Sequence, residues 1–423
     1  MLASFPEAAY KAESVTQNLF GAKRLLLAKP SAIRHVLLDN SGNYRRPPAS
    51  YRTLQPMLGD GLIISEGEVW RRHRHILAPL FAPRVIPLLG EIILDSALRW
   101  VKRVAERADE PVDLLQEMRH LALEIAARTM FSVDPGDEGR TLRRYLERFT
   151  DRLGHPRTLD FLLPLWLPSP HDIPRRRFHA DMMRVMERFM DRRLNHPPDQ
   201  RARDLIEAMV AARDPESGAG LSRQEILDEV NTMLIAGHET TSLGLFWAFC
   251  VLAHAPREQE RLAEEAAAAN LLPEHSEQLL AELVYARATA SESLRLYPPV
   301  AVMNRLAQAD DCADGIEIPR GTHVVIAPWI LHHHSRFWQD PYTFDPSRFL
   351  PEAPQPSRFV YLPFGAGRRI CIGAAFAMAE LMLVLASMLK NFRVEPAEQR
   401  MPRPVSVIVT RPDRSIRFRL IPR

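Results

Sequence analysis

The sequence has little cysteine, with three residues in 423, at Cys250, Cys312 and Cys371. They are odd in number, widely spaced and form no C-x-x-C pair, which argues against a disulfide framework. The same spacing argues against a four-ligand structural zinc site. So few cysteines favour a reducing compartment, and we expect a cytoplasmic protein.

The N-terminal residues lack a basic segment followed by an apolar one, so no signal peptide or membrane anchor is predicted. Long apolar runs are also scarce, and the run at residues 372–389 reaches only the lower limit of a membrane span. Glu380 stands in its middle, and small residues line much of it. We therefore interpret it as a helix buried in a protein core and expect no membrane span.

Lysine is scarce too, with five residues against fifty arginines, and the net charge is only +3. The arginines are scattered among acidic residues, and no basic stretch alternates with aromatic residues. We therefore expect no nucleic-acid partner.

The composition, with 46% hydrophobic and 25% charged residues, is typical of a globular protein. Helical periodicity dominates residues 68–297, and strand-like alternation occurs near residues 22–28, 316–327 and 405–420. The last of these predicts two strands around a Pro-Asp turn. There is no internal repeat or low-complexity linker. The sequence predicts a mainly α fold with a minor β part, in a single domain over residues 1–423.

One helix is well defined at both ends. Ser222 and Glu225 form a capping-box pattern, and Pro256 marks the latest end. A helix over residues 223–253 would measure about 45 Å, enough to cross a domain. We predict that it is the central helix of the fold.

Small residues form a stripe along this central helix, at Ala236, Gly237, Thr240 and Gly244. A glycine inside a helix costs about 1 kcal/mol relative to alanine, so a compensating role is expected. The stripe could seat a flat group, with Glu239 adding an acid beside the Thr240 hydroxyl. Close packing of two helices, with Thr240 bonded to the preceding turn, explains the same residues equally well.

The third cysteine lies in the sequence PFGAGRRICIG, residues 363–373, just before the apolar run. Glycines let backbone amides approach a sulfur atom, and positive charge and a following helix N-terminus favour its thiolate. A cysteine presented in this way suits an axial ligand of iron. A small buried cysteine in a tight turn would explain neither the glycines nor the arginines.

Charged pairs at helical spacing give weaker signals. Glu292 and Arg295 stand three residues apart, and Arg348 offers a further charge in a loop flanked by phenylalanines. Trp70 and Arg74 share one face of a basic helix and could hold an anion together. For both pairs the alternative is an ordinary solvated surface.

Three adjacent histidines, residues 332–334, raise the possibility of a metal site. Neighbouring residues on a strand or a helix do not converge on one ion, so an ordinary structural cluster is favoured.

Taken together, these motifs resemble those of the cytochrome P450 family, the haem-thiolate monooxygenases. They are a W-x-x-x-R helix, an A-G-x-E-T-T helix, an E-x-x-R helix and the cysteine loop F-x-x-G-x-R-x-C-x-G, in this order. The resemblance is to soluble, bacterial-type members and runs from about residue 40 to the C-terminus, with a shorter N-terminal segment than is usual. It implies the cytochrome P450 fold, with a long central helix over a buried haem b.

The resemblance also implies roles for single residues. Cys371 would be the thiolate ligand of the haem iron, and Thr240 and Glu239 would deliver protons to bound dioxygen. Glu292, Arg295 and Arg348 would form a buried charge triad behind the haem. The residues expected to contact the haem are Arg369, Trp70, Arg74, Arg305, Phe364, Gly367, Gly373, Ala236 and Gly237.

By the same resemblance, the substrate pocket is lined by aliphatic or small residues, which favours a hydrophobic substrate; they are Ile63, Ala236, Val300, Ala301 and Val302. Residues 153–170 are expected to form a mobile lid over the pocket. Electrons would come from a separate ferredoxin or flavoprotein, docked on a basic surface around Arg71, Arg72 and Arg368.

Two other functions compete with monooxygenation of a hydrophobic small molecule by O2. One is a haem-thiolate enzyme that uses peroxide or isomerises an oxygenated substrate, and the acid–alcohol pair at Glu239 and Thr240 argues against it. The other is a haem protein that binds a ligand without turnover.

Overall fold

The computed structural model describes the whole chain except residues 1, 3–4, 20–21, 108–109, 133–135, 195–203, 399 and 407. Helices dominate the described residues and strands are short, as the sequence predicts. The α-helices are α1 (Pro30–Arg34), α2 (Pro48–Leu58), α3 (Gly67–Leu77), α4 (Ile86–Ala105), α5 (Leu114–Phe131), α6 (Gly136–Arg148), α7 (Thr158–Leu162), α8 (Asp172–Leu194), α9 (Leu205–Ala211), α10 (Arg223–Ala253), α11 (Pro256–Ala268), α12 (Ser276–Glu282), α13 (Val284–Leu296), α14 (Pro328–His332) and α15 (Ala374–Asn391).

The strands build one larger sheet and three two-stranded ones. Their bounds are β1 (Ser14–Leu19), β2 (Ala22–Leu27), β3 (Tyr44–Arg45), β4 (Met303–Ala307), β5 (Asp311–Ala313), β6 (Ile316–Ile318), β7 (His323–Ile326), β8 (Phe392–Pro396), β9 (Pro404–Ser406), β10 (Thr410–Pro412) and β11 (Phe418–Pro422). The larger sheet has the order β1-β2-β7-β4-β3, in which only β2 and β7 run parallel.

Strands β10 and β11 flank the predicted Pro-Asp turn near the C-terminus, but they do not pair with each other. β10 pairs backwards with β9, whereas β11 pairs with β8, which directly follows α15. In this arrangement Phe418 and Leu420 of β11 are buried beside Val394 of β8. Burial of these apolar side chains in the core outweighs the local turn preference.

The predicted central helix is confirmed as α10, with the predicted bounds. Ser222 Oγ accepts the N–H of Glu225, and Glu225 Oε2 accepts the N–H of Ser222 at 2.8 Å, which completes the capping box. Nearly all of the helix is buried. It packs against α5, α8, α13 and α15, so it runs through the middle of the fold.

Two hydrophobic clusters meet α10 at different places along its length. One cluster, shared with α2, α5 and α8, includes α10 residues up to Ile235. The other, shared with α4, α5, α13 and α15, begins on α10 at Leu243. Residues 236–242 lie between the two clusters. This part of the helix belongs to neither hydrophobic cluster and is therefore available for another role.

The apolar run before the C-terminal strands forms α15. Within the described part of the chain it is the one helix that by itself has the length and apolarity of a membrane span, and 61% of that stretch is buried inside the protein. It packs against α4, α10, α11 and α13. Glu380 is buried on it, and the described residues offer no hydrogen-bond partner to its Oε1 atom. Burial raises the pKa of Glu380 to about 8, so the side chain is mostly neutral at pH 7.

Candidate functional site

Cys371 lies in the loop that leads into α15. Its backbone N–H donates to the Phe364 carbonyl at 2.9 Å, which closes the loop, and its side chain is exposed. Surrounding protein raises the pKa of the thiol, while the Gly373 N–H and the positive charge of Arg74 lower it. Because the raising effect is the larger, binding of a metal ion would complete the conversion of this thiol to a thiolate.

Two of the three glycines in the loop have a role other than the predicted one of bringing a backbone amide to the sulfur. Gly365 and Gly367 adopt left-handed backbone angles, with φ of +71° and +74°. A Cβ atom on Gly367 would lie 2.0 Å from the Leu37 carbonyl oxygen, so only glycine fits against this part of the chain. Of the predicted amides, the one that reaches the sulfur belongs to Gly373. The other two glycines shape the loop.

The stripe on α10 divides into two parts. Gly237 is exposed in a helix that is otherwise buried, and a Cβ atom there would meet nothing within 4 Å. Ala236 and Thr240 beside it are half-buried. Gly244 is buried instead, with the position of its missing Cβ 3.4 Å from Leu381 of α15. Helix packing therefore explains Gly244, whereas the other three residues border open space.

Helices α10 and α15 meet close to this open space. The two helices are in contact at Gly244 and Leu381. From that contact α10 leads back one turn to Thr240, and α15 leads back to its start beside Cys371. Residues 374–378 of α15 are only half-buried, as are Ala236 and Thr240. Both helices are thus incompletely buried N-terminal to their contact.

Glu239 faces the neighbouring helix α5. Arg119 donates to Glu239 Oε1 at 2.9 Å, and both side chains are largely buried. His238 Nε2 lies 2.9 Å from the Arg119 carbonyl, and burial lowers the pKa of His238 to about 4, so the ring is neutral. The Thr240 hydroxyl donates to the Ala236 carbonyl at 2.6 Å. Sequence reasoning missed Arg119, because it lies 120 residues from Glu239 in the chain.

A group of arginines forms a positive cluster on the same side of the fold. Arg46, Arg305 and Arg369 repel one another around Glu66, which partly offsets their charge. Burial, with this repulsion, lowers the pKa of Arg46 to about 9 and that of Arg305 to about 10. The Nη1 atoms of Arg46 and Arg369 are buried without a partner among the described residues. Such a cluster is a site for an anionic group.

Trp70 and Arg74, on α3, adjoin this cluster. The Arg369 guanidinium stacks 4.5 Å from the centre of the Trp70 ring and donates to the Ser65 carbonyl at 3.0 Å. Arg369 therefore contributes to the anion site. Arg74 carries the positive charge that favours the Cys371 thiolate. Arg46 was missed, although it lies directly before the proline pair that starts α2.

These features fit the haem b that the family resemblance implies. The accessible sulfur of Cys371 suits an iron ion, and the unpartnered Nη1 atoms of Arg46 and Arg369 suit the carboxylates of the porphyrin edge. The exposed Gly237 leaves room for a flat ring at the surface of α10. Most of the residues that were predicted to contact the cofactor belong to these features.

The structure brings the predicted charge triad together. Arg295 donates through Nε and Nη2 to the two oxygens of Glu292, both at 2.7 Å, and neither side chain is exposed. Arg348 Nε lies 3.6 Å from Glu292 Oε1. Arg295 also donates to the carbonyls of His332 and Pro341 at 2.7 Å. The pair thereby ties α13 to the segment that leads to the cysteine loop.

The three adjacent histidines point in different directions. His332 Nδ1 donates to the Arg295 carbonyl at 3.1 Å, while its Nε2 accepts the Leu362 N–H at 2.8 Å. His333 contacts the Trp329 carbonyl and His334 the Ala12 carbonyl. The structural interpretation is therefore confirmed for residues 332–334. Throughout the described residues, no group of three histidine, cysteine, aspartate or glutamate side chains is arranged to hold a metal ion.

The predicted pocket residues have different packing surroundings. Ile63 packs half-buried against the cluster under α2 and α8, and Ala301 is fully buried. Val302 packs beneath the larger sheet, and Val300 is 39% exposed. Ala236 borders the open space at α10. The lining of a pocket thus remains a prediction for these residues.

The predicted lid is held by buried polar contacts. Arg175 of α8 donates from both terminal nitrogens to the carboxylate of Asp160 at 2.7 Å, and both residues are buried. Arg52 of α2 donates to the carbonyls of Pro164 and Leu167. The outer surface of the segment exposes Trp166 and Leu165. These contacts hold residues 160–167 against α2 and α8.

The predicted docking surface needs correction. Arg72 pairs with Glu225 at the start of α10, and Arg71 pairs with Glu68 and Glu216. These acids neutralise the positive charge that was predicted there. Arg368, in the cysteine loop, is exposed. The sequence could not reveal this neutralisation, because residues 216 and 225 are distant in the chain.

Comparison with known proteins agrees with the site. A family model described as Cytochrome P450 matches residues 11–418. Cytochrome P450 4A7 of Oryctolagus cuniculus is 30% identical over 429 residues, which cover 95% of this chain and 82% of that protein. Leukotriene-B4 omega-hydroxylase 3 of Mus musculus and cytokinin hydroxylase of Arabidopsis thaliana are each 29% identical and cover 94% of this chain. The matched segments make up 80% and 79% of the lengths of these two proteins.

Solved structures share the fold. The haem domain of cytochrome P450DA superposes with a TM-score of 0.82 over 97% of this chain and 89% of that chain, at 23% identity. The predicted fold is confirmed by this likeness, which at such identity bears on the fold alone.

Proposed function

The chain belongs to the cytochrome P450 family, whose members are haem-dependent monooxygenases, and we propose that it hydroxylates a lipophilic chain near its end. The observation that carries the site assignment is the accessible Cys371 together with the unpartnered Nη1 atoms of Arg46 and of Arg369, which belongs to the same loop as Cys371. Bound haem b supplies the activation of O2. The protein residues hold the cofactor, orient the substrate and move protons.

We propose that Cys371 is the iron ligand and that the arginine cluster binds the haem carboxylates. The Gly373 N–H stabilises the charged sulfur, and Arg74 adds a positive charge nearby. Arg46, Arg305 and Arg369 exchange their mutual repulsion for ion pairs with the carboxylates. Without an anion, the repulsion among these arginines is unfavourable. Binding of the carboxylates offsets this repulsion and so favours haem binding.

Proton delivery is proposed for Thr240 and Glu239. The Thr240 hydroxyl lies on the exposed stripe of α10. There it can donate its proton to a bound molecule and be reprotonated by groups on the same side of the helix. Glu239 is held by Arg119, so it reaches Thr240 only after this ion pair opens. Replacing Thr240 by alanine is expected to lower product formed per NAD(P)H and to raise peroxide release. Replacing the neighbouring, buried Thr241 by serine serves as the control.

The substrate class rests on the relatives. A leukotriene-B4 omega-hydroxylase is among them, which supports hydroxylation at the far end of a chain. A cytokinin hydroxylase is another, so a compact ring substrate is the competing class. Spectral titration with long-chain acids of graded length is expected to give a spin-state change that strengthens with length. A response only to compact ring compounds would contradict this proposal.

Electrons are proposed to come from a ferredoxin or flavoprotein that docks near Arg368. The residue is exposed and stands three positions before Cys371. Arg368→Glu is expected to slow reduction by the partner while substrate binding stays intact. Arg184→Glu, an exposed arginine on α8, is the control. Equal reduction rates in both variants would contradict the docking site.

We also propose that residues 1–423 act as one haem domain in the cytoplasm. The burial of most of α15 supports a role for this helix in the core. Cell fractionation after expression tests the location, since activity in the soluble fraction is expected and activity only in membranes would contradict it. The bacterial type of the chain remains a prediction, because the relatives named above are from a rabbit, a mouse and a plant.

A further inference from the structure

Five aromatic side chains form a continuous series, which we call the aromatic ladder: Trp247, Tyr297, Trp329, His333 and Tyr342. The Trp247 and Tyr297 rings stack with centres 4.2 Å apart and planes within 4°. The next ring-centre distances along the series are 6.5 Å, 4.5 Å and 5.0 Å. Every neighbouring pair is therefore in or near direct contact.

The inner end of the ladder lies on the same helix face as Thr240. Trp247 follows Thr240 by seven residues in α10, which is about 10 Å along the axis and within about 20° around it. The Trp247 side chain is fully buried, and its indole N–H donates to the Thr410 carbonyl at 3.0 Å. The ladder thus begins two turns beyond the residue that borders the haem site.

The outer end reaches solvent by two branches that divide at Trp329. In one branch His333 stacks against Tyr342, which is 68% exposed. In the other branch the Trp329 indole N–H donates to the Tyr10 hydroxyl at 3.0 Å, and Tyr10 is half-buried. Packing accounts for each buried pair, but it does not require an exposed tyrosine at the end of the series.

Indole and phenol groups are among the side chains that lose an electron most readily, and close contact between rings lets electrons pass between them. Trp247 donates to an amide carbonyl, which is too weak a base to remove its proton. Burial raises the pKa of Tyr297 to about 12, so its phenol keeps its proton and the ring serves as a bridge. Tyr342 lies at the surface, where water can accept a proton.

We propose that the aromatic ladder carries oxidising equivalents from the haem site to the surface when turnover does not consume substrate. This inference rests on the haem monooxygenase activity. The ladder would protect the haem site from oxidation by its own oxidant.

Trp247 would give one electron to the oxidant that bound haem generates, and solvent would supply one proton. Trp247 is restored by an electron from Trp329 across the Tyr297 ring. Tyr342 then supplies an electron to Trp329 and releases its phenolic proton to water. A soluble thiol reduces the Tyr342 radical by transferring a hydrogen atom. A second passage of the same kind supplies the second electron and proton that the oxidant needs, and the two resulting thiyl radicals combine to a disulfide.

Radical trapping tests the proposal on the haem-loaded protein. After the carbon monoxide spectrum has established an intact haem site, the protein is mixed with hydrogen peroxide without substrate. Electron paramagnetic resonance on rapidly frozen samples, with ring-deuterated tyrosine, records tyrosyl and indole radicals, and absorbance records haem bleaching. The variants are Trp329→Phe, which interrupts both branches, and the double variant Tyr10→Phe with Tyr342→Phe. Trp166→Phe, an 80% exposed residue outside the ladder, is the control.

The wild type and the control are expected to form a tyrosyl radical that thiol removes. The double variant is expected to lose this tyrosyl signal and to bleach faster. Trp329→Phe is expected to lose it as well and to retain an indole signal from Trp247. An unchanged tyrosyl signal and bleaching rate in the double variant would overturn the proposal. Because Tyr342 is exposed, this variant gives a decision even if Trp329→Phe fails to fold.

Discussion

Glu292 and Arg295 form a two-bond ion pair, with both distances at 2.7 Å and both side chains completely buried. Arg295 uses its remaining donors on the carbonyls of His332, Pro341 and Thr343. Burial raises the pKa of Glu292, while the bonds from Arg295 oppose this effect. The pair therefore stabilises the fold only as a complete unit.

Removing one partner of this pair is expected to lower the stability of the fold strongly. Glu292→Gln leaves the Arg295 charge buried without its counterion, which costs on the order of 3–5 kcal/mol. Thermal unfolding of the haem-loaded protein measures the loss. Asp181→Asn, which breaks the exposed Asp181–Arg184 pair at the same spacing of three residues, is the control. It should change stability by less than about 1 kcal/mol. Similar losses in both variants would refute the special role of the buried pair.

The arginine cluster predicts opposite effects with and without haem. Arg46→Gln removes the repulsion with Arg305 and Arg369, so the haem-free protein should be as stable as the wild type or more stable. The same change should speed the transfer of haem to an acceptor protein, because one contact with the carboxylates is lost. Arg45→Gln, at the exposed neighbouring position, should leave the transfer rate unchanged. Equal transfer rates in both variants would contradict the carboxylate site.

Glu380 predicts a loss of stability as pH rises. Burial raises its pKa in the folded protein from 4.5 to about 8, so the folded state holds a proton that the unfolded chain releases. Its contribution is therefore complete below pH 4.5 and is lost as pH rises through about 8. Glu380→Gln stays neutral, so its midpoint of thermal unfolding should exceed that of the wild type at pH 8 to 9. Parallel curves from pH 5 to 9 would contradict a buried neutral carboxyl.

For Asp311 we predict a loss of stability as pH falls. Burial raises its pKa, but bonds from Tyr44, His35 and Asn40 outweigh this and lower the pKa from 3.8 to about 2. Its contribution, roughly 2 kcal/mol, is present above pH 3.8 and is lost as pH falls through about 2. The stability difference between the wild type and Asp311→Asn should therefore shrink over this interval. A constant difference would contradict the ionised state of Asp311.

Local patterns predicted the elements whose determinants are close in sequence. The ends of α10 followed from Ser222 and Glu225, and the cysteine loop followed from the spacing around Cys371. The contacts that neutralise or orient charges could not be predicted. Arg119 reaches Glu239, and Arg72 reaches Glu225, across more than one hundred residues. The pairing of the C-terminal strands could not be predicted for the same reason, because β8, the partner of β11, precedes β9 and β10 in the chain.

The most direct measurement is the absorbance difference spectrum of the reduced protein with and without carbon monoxide, recorded for the wild type and Cys371→His. Thiolate ligation by Cys371 predicts the long-wavelength Soret band that is characteristic of a thiolate opposite carbon monoxide. The histidine variant should bind haem but give the shorter-wavelength band of nitrogen ligation. A short-wavelength band in freshly prepared wild type, or the same long-wavelength band in the variant, would contradict the assignment of Cys371 as the iron ligand.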